Sequence, residues 1–141
     1  MTQPNFQKLE ELGQKERDRQ ESYQRRIFCC NSTACLSAGA AQTRSALAEA
    51  FQDDPDTEVV QTGCMGLCSR GPLVRVETKD DAPVLYGDVV AELAPQIVPS
   101  PHSEQVEPNQ ALAEHVIPLD APFFAKQVRV VLSQTGHIDP D

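Results

Sequence analysis

At 141 residues, with a net charge of -9 and a pI near 4.7, the chain has room for one domain of ordinary size plus tails, and not for two. That acidity gives no electrostatic footprint for nucleic acid phosphates or an anionic membrane surface, so the expected partners are proteins. No apolar run approaches the roughly 20 residues of a membrane span, and the N-terminus MTQPNFQKLEELGQ is polar where a signal peptide would be apolar, so a cytoplasmic location is expected.

Residues 5 to 26 carry Phe6, Leu9, Leu12 and Tyr23 among dense Glu, Lys and Arg, which predicts one amphipathic helix with a thin apolar stripe. RRIFCC, residues 25 to 30, reads as a short buried strand. A helix should follow, because Leu36, Ala40, Thr43, Leu47, Ala50 and Phe51 fall at steps of three and four, with Ser32 or Thr33 available as N-cap. The acids and proline of 53 to 56 stop it. TEVVQT at 57 to 62, PLVRVE at 72 to 77 and Val84-Leu85-Tyr86 predict three more strands. Gly87-Asp88 reads as the start of a helix through VVAEL, kept short by Pro95.

The predicted order is helix, strand, helix, strand, strand, strand, helix. Strand-helix-strand favours a parallel pair with a crossover, and the closely spaced later strands favour a hairpin. The expected fold is therefore α/β and thioredoxin-like: a small mixed sheet of about four strands flanked by helices, with an N-terminal helix and a C-terminal extension. The expected boundaries are an N-terminal helix at 1-24, the α/β domain at 25-98, a linker at 99-122 and the start of a further module at 123-141.

The linker assignment rests on composition. Five of the 11 prolines lie between residues 99 and 122, with four acids and no Lys or Arg, so the stretch should be extended and solvated. After it, FFAKQVRVVL resumes an imperfect strand alternation. The chain closes on Asp139-Pro140-Asp141, a helix-start signal with no helix after it, which suggests a piece of a longer polypeptide.

Chemistry concentrates in two cysteine clamps, Cys30-x4-Cys35 and Cys64-x3-Cys68, with 28 residues between them. In a reducing compartment five cysteines in so small a chain read as ligands or reactive thiols, not as a disulfide framework, and the odd count fits four ligands and one bystander. Four thiolates delivered by two loops are what an iron-sulfur cluster needs. Cys35 stands near a helix opening, where backbone N–H groups favour thiolate over thiol. Gly63, Gly66 and Gly71 punctuate the second clamp and let backbone amides approach sulfur, while Met65 and Leu67 could shield it from water.

Other metals fit less well. His102, His115 and His137 all lie in the linker or tail, and structural zinc prefers tight Cys-x2-Cys pairs. Neither the bacterial nor the plant-type ferredoxin spacing is present. A zinc-stabilised interaction module and a thiol-disulfide oxidoreductase stay open as alternatives at this point. Cys29 should pack into the core, because strand alternation turns it away from Cys30. Ser32, Thr33 and Ser37 read as caps, not nucleophiles, since no His lies nearby in sequence. Arg70 beside Cys68 could tune the centre electrostatically, pair with a partner's acid, or be an ordinary solvated arginine. No residue of the chain reads as catalytic.

The segments CCNSTACLSAGA and GCMGLCSRGPLVRVE resemble the thioredoxin-like [2Fe-2S] ferredoxin domain in the small peripheral subunit of NADH:quinone oxidoreductases, over about residues 25 to 98. That resemblance implies Cys30, Cys35, Cys64 and Cys68 as the ligands of one [2Fe-2S] cluster. The tail VRVVLSQTGHIDPD resembles the start of the flavin- and NADH-binding subunit of the same enzymes. A ferredoxin domain joined to that start is the layout of the diaphorase flavoprotein of bidirectional NAD-linked hydrogenases, and of related NADP-reducing hydrogenases and NAD-dependent formate dehydrogenases. The implied role is one-electron transfer in an NAD(H)-linked complex, with FMN and NAD(H) bound by the adjoining module and other iron-sulfur subunits as partners. The chain departs from the small-subunit pattern in having one N-terminal helix in place of a bundle. The glycine-rich flavin site and the later four-cysteine site of the flavoprotein are also missing.

Overall fold

The computed structural model describes residues 6–97, 110–128, 130 and 133–136. Its centre is a five-stranded sheet in the order β2-β1-β3-β4-β5, from β1 Arg25–Cys30, β2 Thr57–Thr62, β3 Val74–Thr78, β4 Val84–Tyr86 and β5 Val116–Ile117. Strands β1 and β2 run parallel, with Ile27 opposite Val59 and Cys30 opposite Thr62. The chain between them forms two helices, α2 Thr33–Ser37 and α3 Ala40–Ala50. Strand β3 returns antiparallel to β1, and β4 and β5 continue antiparallel.

Period-2 alternation sorts the side chains onto two faces. Ile27, Cys29, Val74 and Val76 meet Leu47 of α3, Val89, Ala94, Ile97 and Leu112 on one face. Phe28, Cys30, Val60, Leu85 and Ile117 share the other with Cys35, Met65 and Leu73. Helix α1, Phe6–Ser22, buries none of its residues and is tied to this second face at its C-terminal end, where Arg19 and Arg26 both pair with Glu58.

Four expectations from sequence are corrected. The single helix predicted after β1, with Ser32 or Thr33 as its N-cap, is two, because Gly39 adopts φ 99° and breaks the run at the start of α3. VVAEL does not form a helix. Asp88 has φ 53°, its amide donates to the Arg70 carbonyl at 2.7 Å, and the Val89 amide donates to the Pro72 carbonyl at 3.1 Å. With those amides held by another loop, only a 3-10 turn at Ala94–Gln96 remains.

The stretch from 99 to 122 is not all extended linker. Residues 110 onward form α4, Gln110–Ala113, and β5, with Leu112 and Ile117 each 6% exposed; 99 to 109 lie outside the described residues. The strand predicted from Phe124 is instead the short helix α5, Pro122–Ala125, with a proline in its first turn. Val128 and Val130 beyond it are exposed, while 129, 131 and 132 lie outside the described residues.

Candidate metal centre

Parallel pairing of β1 and β2 places both of their C-terminal ends at one edge of the sheet. Cys30 is the last residue of β1, and Cys64 follows β2 by two residues. Antiparallel β3 starts at that same edge. Backbone bonds fasten the three roots together: Cys30 N–H donates to the Leu73 carbonyl at 3.0 Å and Asn31 N–H to the Thr62 carbonyl at 2.7 Å. The sheet topology thus delivers both cysteine loops to one place.

Cys30 and Cys35 are buried, Cys64 is half-buried and Cys68 is exposed. Cys64 Sγ and Cys68 Sγ stand 3.5 Å apart, and Gly66 N–H donates to Cys64 Sγ at 3.3 Å. Gly66 has φ 92°, a conformation a residue with Cβ rarely adopts, so this amide is aimed by the glycine.

Cys35 is hydrogen-bonded to Cys30, and this bond, with help from the Ser32 hydroxyl and the backbone of Ser32 and Met65, brings the Cys30 thiol down to about 5 against burial. The same bond from Cys30, together with burial, pushes Cys35 up, opposed by a backbone bond from Leu73. Within the first pair, the shared hydrogen bond thus favours loss of the proton from Cys30 before Cys35. Cys64, by hydrogen bonding and by its charge, also pushes Cys68 up, with a smaller contribution from the charge of Cys30.

The loops interlock. Met65 of the second clamp hydrogen-bonds Cys30 of the first through its backbone. A Cβ on Gly71 would lie 2.9 Å from Cys35 Sγ, so no larger residue fits at that point without movement. Arg70 pairs with Asp88 of this chain, a contact that the sequence reading did not anticipate. Met65 is buried as expected of a shield, and Leu67 packs partly buried against the same cluster.

Among the described residues, no three His, Cys, Asp or Glu side chains stand together as a site for a single metal ion. The sulfurs meet as two pairs. Two irons need two pairs facing each other across a shared core, and an all-thiolate donor set with backbone N–H groups aimed at sulfur suits that chemistry. The residues fit a [2Fe-2S] cluster.

Among solved structures, the chain is similar to the thioredoxin-like [2Fe-2S] ferredoxin of Aquifex aeolicus, at 30% identity over 68% of this chain and 92% of that one, with a TM-score of 0.52. The chain belongs to the thioredoxin-like [2Fe-2S] ferredoxin family. Two cysteine-to-serine variants of the Aquifex ferredoxin also match at 30% identity, each over 67% of this chain and 98% of that chain, with TM-scores of 0.50 and 0.51. No protein-family model matches the chain. The thioredoxin-like fold expected from element order is thereby borne out. No described helix is long and apolar enough to cross a membrane.

Three features of this ferredoxin-family site were not read from sequence. Ser32, assigned as a cap, makes no capping bond and instead stands 3.3 Å from Cys30 Sγ. Phe124 packs against the group containing Met65 and Cys30. A Cβ on Gly136 would sit 3.3 Å from Met65 Cγ, and its carbonyl accepts from Arg75 at 3.0 Å, so Gly136 lies against the cysteine loop. The sequence shows Phe124 as apolar, but its alternation with the residues after it points to a strand and not to this contact.

Proposed function

We propose that Cys30, Cys35, Cys64 and Cys68 hold one [2Fe-2S] cluster, and that the chain carries single electrons within an NAD(H)-linked oxidoreductase complex. The observation that carries this reading is the meeting of two cysteine pairs from separate loops at one edge of the sheet, with Cys64 and Cys68 Sγ 3.5 Å apart. Bound there, the cluster would supply reversible one-electron chemistry at thiolate-held iron. The protein's own part is to bind and to insulate. Cys30 and Cys35 are buried, with Met65 buried in the same apolar group, while exposed Cys68 marks the side from which a partner's redox centre can approach.

The finer assignment, a flavoprotein module with FMN that exchanges hydride with NAD(H), as in a bidirectional hydrogenase diaphorase, rests on the resemblance of VRVVLSQTGHIDPD. A hydride brings two electrons and such a centre takes one, so a flavin is the intermediary that chemistry calls for. A cytoplasmic location and docking to other iron-sulfur subunits belong to the same proposal.

The test is chain isolated without oxygen, assayed for iron and acid-labile sulfide, with an EPR spectrum after dithionite. About two irons and two sulfides per chain with a reduced [2Fe-2S] signal are expected. A colourless protein with one zinc, or a metal-free protein that turns over disulfides, would sink the reading. The NAD(H) assignment is tested by joining the chain to its flavoprotein neighbour: NADH should then reduce the cluster signal, and no reduction would overturn that part alone.

A further inference from the structure

Ser32 occupies the N-cap position of α2 with extended backbone, φ -73° and ψ 158°, the conformation in which a serine hydroxyl normally accepts from a helix amide. Its side chain makes no such bond, and Ser32 Oγ stands 3.3 Å from Cys30 Sγ. The hydroxyl's contact is with sulfur instead of a helix amide. A metal-bound cysteine is a thiolate with no proton to give, which leaves Ser32 O–H as the donor. Cys30 itself is 1% exposed, so no water competes for that lone pair.

We propose that Ser32 is a positioning residue that sets the redox poise of the centre by donating its hydroxyl proton to the Cys30 thiolate. This rests on the reading of Cys30 as a cluster ligand. A donor to sulfur favours the more negative, reduced form, because one added electron raises the charge on the thiolates. Removing the donor lowers the reduction potential. Backbone contacts to these sulfurs, such as Gly66 N–H on Cys64 and the backbone of Met65 on Cys30, are not removed by changing a side chain. Ser32 is the contact that a side-chain change can test.

The experiment compares the full chain with Ser32→Ala, Ser32→Thr and Ser32→Val, each first assayed for iron and sulfide and then titrated against redox mediators. Thr keeps the hydroxyl, and Val has the shape of Thr without it. At a fixed poise, Ala and Val should raise the oxidised-to-reduced ratio about tenfold, the order of one hydrogen bond to a charged sulfur, equal to 59 mV for a one-electron couple. Thr should stay near the unsubstituted protein. Equal ratios in all four cluster-bearing proteins, or Thr shifting as far as Val, would overturn the role of Ser32. An unsubstituted chain without iron would overturn the cluster reading first and the role of Ser32 with it. If Ala fails to hold a cluster, the Thr and Val pair still decides.

Discussion

Gly71 lies directly against Cys35: a Cβ there would stand 2.9 Å from Cys35 Sγ and 3.4 Å from its Cα. Real Cβ atoms do not approach so closely, and neither neighbour has room to yield, because Cys35 is fully buried. Gly71→Ala is therefore expected to displace Cys35 from its partner Cys30 and to destabilise the fold by about 1–3 kcal/mol, the range for overpacking. The check is iron content with visible absorption, alongside urea denaturation. Gly63→Ala is the control, since nothing lies within 4 Å of its added methyl, and it should keep both properties.

Cys29 and Cys30 are neighbours with opposite fates. Cys29 packs with Ile27, Leu47 and Val74, while Cys30 packs with Phe28, Cys35 and Met65 on the other face. Burial, with a smaller push from Cys30, raises the Cys29 thiol to about 12. A thiol with its pKa raised so far stays neutral through physiological pH and is a poor nucleophile. In chelator-treated folded protein at pH 8, iodoacetamide should modify Cys68, which is exposed though its thiol is also pushed up, before Cys29, which should react only on unfolding, as read by mass spectrometry. Cys29→Ala should keep the visible spectrum and lose about 1 kcal/mol of stability. Alanine at Cys30, Cys35, Cys64 or Cys68 should abolish the [2Fe-2S] spectrum.

Thr43 links α3 to the loop after β4. It is fully buried, and its Oγ1 donates to the Val89 carbonyl at 2.7 Å. Thr43→Val keeps the shape but leaves that buried carbonyl without its donor. The expected loss is about 1–3 kcal/mol, measured by denaturant unfolding, with little change in the visible spectrum because Thr43 touches none of the four cysteines of the centre. A neutral substitution would show that Val89 finds another donor.

Much of this was readable in the sequence where one physical rule acts over several residues. RRIFCC and TEVVQT became β1 and β2 over the expected spans, and their parallel pairing followed from the helical stretch between them. That pairing brings the two clamps together, so the candidate site was legible from spacing and order. What could not be read was set by contacts between distant segments. VVAEL has the composition of a helix, but Arg70 and Pro72 carbonyls take the amides of Asp88 and Val89. Ser32 has the position of a cap, and only the fold places a sulfur within its reach. Strand β5 is two residues long, too short to show alternation, and it sits in a proline-rich composition that argues for solvent.

That last segment also yields the strongest stability prediction. Ile117 is 6% exposed and packs with Phe28, Leu73 and Leu85, filling the cysteine side of the sheet. Its strand is held by Gly87, whose amide donates to the His115 carbonyl at 2.8 Å and whose carbonyl accepts from His115 Nδ1 at 2.9 Å. Gly87 is itself required there, since a Cβ would meet Ile117 Cδ1 at 2.7 Å and the Arg70 carbonyl at 3.0 Å. Ile117→Ala should cost about 2–5 kcal/mol and raise the loss rate of the visible chromophore on warming, because the void opens in the apolar group that contains Cys30 and Cys35. Val116→Ala, on the exposed side of the same strand, should cost well under 1 kcal/mol. Equal, small effects from both would mean that residues 110–117 are the solvated linker their composition suggests and contribute nothing to the core.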